Sequence, residues 1–319
     1  MTADASYTTE EIAKLLKISK LTVYDLIKKG ELPAYRVGKQ MRVDAADLER
    51  YKARAKSGAA FASAGSADRP AAEGGSRAGT GAGAVRPLVI TGQDVSLDLL
   101  AKHLESAAAG VRPLRSHAGS LDSLVAMYRG ESDIVSTHLF DGDSGEYNMP
   151  YIRRLLTGRP YVVVNLVSRM AGLYVRSGNP KSIRTWTDLG RPGVKIVNRE
   201  LGSGARVLLD EQLRLHGIAA DRVNGYRLER TNHVSVAGAV ATGDADAGVG
   251  IEKAAALVGG VDFIPLIRER YDLVMLRTPD NRDWIGAVLS VIGSAPFRRE
   301  LEAIGGYDLS LTGTVLSET

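Results

Sequence analysis

Residues 7–51 read YTTEEIAKLLKISKLTVYDLIKKGELPAYRVGKQMRVDAADLERY, and the rest of the chain is best understood outward from them. Thr8 followed by Glu11 makes a capping box, in which hydroxyl and carboxylate each satisfy an orphan amide at a helix start. Ile12, Leu15 and Leu16 then recur at helical spacing on one face. The chain turns at Lys17-Ile18, and Ser19 caps a second helix running to Lys29 with Val23, Leu26 and Ile27 inward. Gly30 sits where a left-handed C-terminal cap is wanted. Ala34–Val37 and Met41–Val43 are short strands turned by Gly38-Lys39-Gln40. Asp44 caps a third helix, whose Leu48 and Tyr51 close a small core.

Two helices joined by a tight turn, then a basic hairpin and a third helix, have the order of a winged helix-turn-helix, a small α+β unit over residues 1–56. The outward residues of its second helix are Lys20, Thr22, Tyr24 and Lys28, the positions a recognition helix presents to base edges and phosphates. Arg36, Lys39 and Arg42 line the hairpin and suit contact with the DNA backbone or minor groove. These seven residues are the expected contacts to double-stranded DNA. Charge agrees with this assignment. Residues 1–56 hold 12 Lys plus Arg against 8 Asp plus Glu, while the remaining chain balances at 29 of each, so the whole net charge of +4 lies in the opening unit. Charge alone fits a solvated basic face equally well.

The phrases YTTEEIAKLL, SKLTVYDLIKKGELPAYRVGKQMRV and DLERY resemble the excisionase-type branch of the MerR-like winged-helix family. MerR-like regulators pair through a long helix after the DNA-binding unit. Here the chain passes instead into SGAAFASAGSADRPAAEGGSRAGTGAGAV, residues 57–85, which has almost nothing large to bury and reads as a flexible linker. Such a linker spans roughly 30 Å root-mean-square. Pairing into a homo-oligomer, expected as a dimer, then has to come from residues 86–319.

At 319 residues the chain is too long for one ordinary core. It has no cysteine, which excludes disulfides, thiolate metal sites and cysteine catalysis. No uninterrupted apolar run is long enough to span a bilayer and no signal-peptide core opens the chain, so a cytoplasmic protein without membrane contact is expected.

From Arg86 strand-like and helix-like stretches alternate, which argues for an α/β fold with a mainly parallel sheet. Pro87–Thr91, Arg112–Ser116 and Asp133–Thr137 read as strands, with helices at Asp94–Ala108 and Gly119–Arg129. Tyr161–Val167 and Gly172–Arg176 are consecutive extended runs with no helix between them, and Phe263–Ile267 and Leu273–Leu276 form a second such pair. Two crossings imply two lobes: lobe I at about 86–165 and 271–319, lobe II at about 170–268, with a ligand in the cleft. The phrases GSLDSLVAMYRGESDIVSTHLFD, GEYNMPYIRRLL, GLYVRSGNPKSIRTWTDLGRPGVKIVNRELGSGARVLLDE and GDADAGVGIE resemble the type II periplasmic-binding-protein-like domain, over about residues 86–312. The nearest likeness is to cytoplasmic regulators and to molybdate- and tungstate-binding transporter components. The resemblance implies an effector of that kind, an oxyanion such as molybdate or tungstate or another small molecule, and no required cofactor.

In such folds the ligand lies beyond the carboxyl ends of the strands, where free amides and helix dipoles favour an anion. The candidate contacts are Thr91, Gly92 and Gln93; Ser120; Thr137 and His138; Ser203, Gly204, Ala205 and Arg206; and Thr231. Gly and Ser are equally ordinary strand-to-helix turn residues. Arg206 is placed to pair with Asp210 one turn on. His233 reads more simply as a capping or core residue, and Glu252 as a cap. No Gly-x-Ser-x-Gly elbow, His-Glu-x-x-His or phosphate-loop signature occurs, and the five histidines lack metal-ligand spacing. The expectation is therefore a non-enzymatic, ligand-responsive transcriptional regulator. The rival readings are an excisionase-like architectural DNA binder whose large domain makes protein contacts, and a ligand-buffering protein.

Overall fold

Thr8 and Glu11 begin the fold as their spacing requires. Thr8 N donates to Glu11 Oε2 (2.8 Å), and Glu11 N donates to Thr8 Oγ1 (3.4 Å). The computed structural model describes residues 6–16, 23–24, 26–27, 32–37, 40–56, 86–108 and 110–319. These fall into two compact units, one within Met1–Thr80 and one within Gly81–Thr319.

In the first unit the capped helix is Thr9–Leu16 and a later helix occupies Ala45–Lys56, with Val23, Tyr24, Leu26 and Ile27 also helical between them. Three strands, β1 (Ser6–Thr8), β2 (Tyr35–Val37) and β3 (Gln40–Asp44), form an antiparallel sheet in the order β1-β3-β2. β1 is absent from the sequence reading, because three residues are too few to show an alternation. Ile12, Val23, Leu32, Val43 and Leu48 are fully buried together, with Leu26, Ile27 and Tyr51 packed against them. Asp44 accepts from the Tyr35 hydroxyl (2.8 Å) across the hairpin. The turn at Lys17-Ile18, the caps Ser19 and Gly30, the hairpin residues Gly38 and Lys39, and the linker 57–85 lie outside the described residues.

The second unit is built on one sheet of nine strands. They are β4 (Arg86–Thr91), β5 (Val111–Ser116), β6 (Ile134–Thr137), β7 (Tyr161–Arg176), β8 (Ile196–Arg199), β9 (Glu229–Arg230), β10 (Ala247–Ile251), β11 (Val261–Leu276) and β12 (Val315–Glu318). Their order is β5-β4-β6-β11-β7-β10-β8-β9, with β12 also on β7. The sheet is mixed rather than mainly parallel. β4 with β5 and β6, and β8 with β9 and β10, pair in parallel, but every contact of β7 and β11 is antiparallel. The reason is the crossings. Each pair of extended runs in the sequence is one continuous 16-residue strand, and the two run against each other from Val261 opposite Arg176 to Leu276 opposite Tyr161.

One half of each long strand belongs to each lobe. Lobe I packs helices on both faces of its half: Leu97, Leu100, Phe297 and Leu301 on one side, Leu124, Met127 and Ile152 on the other. Lobe II does the same, with Leu208, Leu209 and Leu213 on one side and Val236, Ala237 and Val240 on the other. Glycine is required where the strands bend between lobes. A Cβ on Gly172 would lie 2.0 Å from the Ile264 carbonyl oxygen, beside the bulge between Pro265 and Ile267, where the backbones approach closely. Gly172→Ala is expected to lower the stability of the second unit by about 1–3 kcal/mol through overpacking, read as a lower urea midpoint.

Candidate functional site

The middle of the crossing strands carries charge. Arg169 on β7 stands opposite Glu269 on β11, and its Nε donates to Glu269 Oε1 at 2.5 Å. Its Nη1 pairs with Asp94 at the end of the first turn after β4, and the guanidinium lies 4.7 Å from the Tyr271 ring centroid. All three charged side chains are buried. Burial pushes the Asp94 carboxyl up, but Arg169, Ser96 and the Tyr307 hydroxyl outweigh it and hold it below the usual range. Burial wins at Glu269, whose carboxyl is raised despite Arg169.

Above this cluster a cavity of about 630 Å³ opens between the lobes. Five β–α junctions reach it, after β4, β5, β8, β9 and β10, so several helix N-termini face one space. The lobes touch around it. Arg199 Nη2 donates to Gln93 Oε1 across the cleft (2.6 Å) while holding Glu200 in a two-point pair. Leu121 N donates to Gly202 O (2.9 Å), Gly142 N donates to Glu211 Oε2 (2.8 Å), and Arg214 pairs with Asp143 (2.8 Å). Close approach demands small residues here: a Cβ on Gly119 would meet Gly202 O at 2.6 Å, and one on Gly204 would meet His138 Nε2 at 2.4 Å.

Of the residues expected to face a ligand, Gly92, Gln93, Ser120, His138, Ser203, Gly204 and Thr231 line the cavity. Thr91, Thr137, Ala205 and Arg206 do not. Strand alternation turns Thr137 away while Ser136 and His138 face the cleft; its hydroxyl donates to Asn148 Oδ1 at 3.2 Å. Thr91 is paired inside the lobe with Ser132 (2.7 Å). Ala205 packs into the lobe II core with Leu208 and Leu209. The Arg206 guanidinium is taken up by Asp210 (3.2 Å), Glu229 (3.0 Å) and the Arg199 carbonyl (3.1 Å), over the Tyr226 ring. Ser203 lines the cavity, but its hydroxyl caps the following helix, accepting from Arg206 N (3.3 Å) and donating to Glu200 O (2.9 Å).

Ser120 and His138 form a unit. Ser120 Oγ accepts from His138 N (3.2 Å) and lies 2.9 Å from Nδ1. A neutral imidazole carries one ring proton, so either tautomer leaves one donor, at Nε2 or at the Ser120 hydroxyl. Desolvation, then Arg169 and Arg199, hold His138 well below its ordinary value, with Asp94 opposing. His233 is depressed in the same way by desolvation, Arg199, Arg169 and His138. Contrary to a capping role, its Nδ1 is buried without a hydrogen-bond partner, and the cap is Asn232, whose Oδ1 accepts from Ser235 N at 2.8 Å. Lys253 Nζ is likewise buried and unpartnered, 4.7 Å from the Tyr307 ring centroid.

Asp94, which closes the junction that begins at Thr91, also reaches the cavity, as do Arg169, Arg199, Lys253, Tyr271 and Tyr307, which nothing in the sequence marks as ligand-facing. Arg169 and Glu269 leave a trace there, as ionic residues inside extended apolar runs. Lys253 and Tyr307 leave none, since an isolated Lys or Tyr on a helix or loop is ordinary. Among the described residues no group of three or more His, Asp or Glu could hold a metal ion, and no helix is long and apolar enough to cross a membrane.

In the first unit Tyr24 is exposed. Arg36 stands in β2 opposite Met41, and Arg42 Nη1 donates to Ser6 Oγ (3.0 Å) and Ser6 O (3.3 Å) across the sheet. Lys20, Thr22, Lys28 and Lys39 lie outside the described residues.

Residues 101–293 match the model of the PBP superfamily domain. The chain belongs to that superfamily. Residues 6–56 match a helix-turn-helix domain, so an excisionase-type DNA-binding module and a PBP-like ligand-binding domain share one polypeptide. The uncharacterized protein YvgK of Bacillus subtilis is 50% identical over 320 residues, 100% of both chains. The sulfate-binding protein of Escherichia coli is 33% identical over 100 residues, 29% of each chain. A Clostridium perfringens substrate-binding protein solved with bound phosphate shares the fold, with TM-score 0.50 and 14% identity over 70% of this chain and 98% of that one. Neither domain belongs to an enzymatic family.

Arg169→Met is expected to cost about 3–5 kcal/mol, because it leaves two carboxylates buried beside an apolar side chain, and denaturant titration reads it. The depressed imidazoles give a second expectation. An unfolded imidazole protonates near 6.5 while the folded one stays neutral, so stability is full above that pH and lost as pH falls below it. Each imidazole contributes up to about 1.4 kcal/mol per pH unit in that window. Glu269, raised from 4.5, acts in the opposite sense. The slope between pH 6.5 and 5 should therefore be isolated as a difference, flatter in His138→Gln/His233→Gln than in the parent.

Proposed function

We propose that this chain is a one-component, ligand-responsive transcriptional regulator, in which the helix-turn-helix unit binds double-stranded DNA and an anionic effector in the interlobe cleft sets its activity. The observation that carries the reading is the union, in one polypeptide, of a DNA-binding module with a two-lobed domain whose helix N-termini converge on a cavity. First-turn amides lack intrahelical acceptors and carry the positive end of the helix dipole, which suits an anion. Lys253 adds a cation without a carboxylate partner. The effector class that these donors favour is an oxyanion, with molybdate and tungstate as its simplest members; likeness to a sulfate-binding protein over 100 residues supports the same class. In this reading the effector binds without a cofactor, and a DNA-binding role suits a cytoplasmic protein.

Regulation follows if the effector binds the DNA-competent and incompetent states unequally. A helix-turn-helix reads two half-sites as a dimer, and residues 86–319 are the part of the chain able to supply the pairing. Lobe closure would then alter the spacing of two DNA-binding units along the duplex. An architectural DNA binder would need no response to anions, and a ligand buffer would need no DNA.

Two measurements separate these. DNA affinity, followed by fluorescence anisotropy on a genomic fragment enriched by the protein, should fall by about 10³ between 50 and 200 mM salt if roughly six phosphates are neutralised. Arg36→Ala/Arg42→Ala should weaken binding and flatten that salt slope; unchanged DNA binding would remove the hairpin from the interface. Molybdate, tungstate, sulfate or phosphate should raise the melting temperature and shift the DNA affinity. Stabilisation with no change in DNA affinity would favour the buffer, and no response to any anion would leave the architectural reading.

A further inference from the structure

The cavity is larger than a bare tetrahedral oxyanion fills, and its mouth carries apolar side chains. On the scale of about 30 Å³ per water molecule, such an ion fills roughly 100 Å³, against about 630 Å³ between the lobes. Volumes of about 300–1,000 Å³ are those of pockets that take small organic ligands. Polarity is also unevenly distributed over the wall. The Lys253 ammonium, buried without a hydrogen-bond partner, and the donor shared by Ser120 and His138 are matched to an anion, as is His233 Nδ1 in the tautomer that protonates it. Val95, Val234 and Leu257 line the same cavity yet remain 41%, 46% and 71% exposed. They come from both lobes, and Leu257 follows Lys253 by one helical turn, so one short segment carries the cation at one end and an uncovered apolar side chain at the other.

We infer that the effector is an organic anion: an oxyanion head held by Lys253 and the helix N-termini, carried on a ring-sized apolar body that covers Val95, Val234 and Leu257. This rests on the anionic-effector reading above and narrows its ligand class. The apolar body, touching both lobes, couples occupancy to closure through surface that a small ion cannot reach. Apolar burial also supplies affinity that the hydration of a free oxyanion opposes.

Isothermal titration of the full chain tests this with inorganic phosphate and molybdate against phenyl phosphate and benzenesulfonate. Phenyl phosphate should bind at least about tenfold tighter than inorganic phosphate. Val234→Asn/Leu257→Asn, both at exposed positions, should bring that ratio towards one. Lys253→Met should weaken both ligands by about tenfold, and Lys253→Arg should restore them, which a merely structural lysine would not require. Inorganic anions binding as tightly as their phenyl counterparts would overturn the organic-anion inference while leaving the regulator reading intact. A ratio unchanged in the asparagine variant would overturn the placement of the apolar body. Binding of neither class would remove the anionic effector itself, and both readings with it.

Discussion

The second unit depends on one buried charge cluster, Arg169 with Glu269 and Asp94. It stands midway along β7 and β11, where the chain leaves one lobe and later returns, and it ties both crossings to the first β–α turn of lobe I. Water cannot screen these charges, so their pairing has to be satisfied by position. Arg169 lies between two carboxylates and over Tyr271 at the floor of the cleft, so its charge is already taken up within the hinge.

Closure uses a second set of contacts. Gln93 with Arg199 and Glu200, Leu121 with Gly202, and Arg214 with Asp143 are hydrogen bonds and ion pairs at the rim. The exposed pair Arg214–Asp143 exchanges readily with water and contributes little net stability, whereas Arg199 makes its contacts buried. An equilibrium between open and closed lobes can then be biased by a modest differential affinity, as a sensor requires. The glycines at 119, 202 and 204 set how close the lobes come, because side chains there would meet the Gly202 backbone, the Asp122 carboxylate and the His138 imidazole before the polar contacts form.

Much of this was legible in the sequence. The capping box at Thr8 and Glu11, the basic hairpin and the two pairs of extended runs correspond to elements of the structure, because each depends on residues near one another in the chain. Seven of the eleven residues expected to face the ligand line the cavity. Three of the four that do not line it, Thr91, Thr137 and Ala205, share one reason: a junction is visible in sequence, but which residue of it faces the cleft depends on strand and helix phase. Thr137 and Ala205 are one position out of phase with His138 and Gly204. Arg206 shows a different limit, since the carboxylate nearest in sequence, Asp210, is visible one turn on, but Glu229 arrives from another element.

By itself the sequence determined the two kinds of unit, the basic character confined to the first, and the double crossing of the second. Capping, periodicity and charge are local properties, and they are specified wherever the chain is read. Only the tertiary structure decided that the crossings are single antiparallel strands, that Arg169 is buried between carboxylates contributed by Asp94 and Glu269, and that Lys253 and His233 line a cavity with a buried nitrogen lacking a hydrogen-bond partner. Those facts depend on side chains from distant segments meeting in space, where burial and the supply of nearby partners set their chemistry.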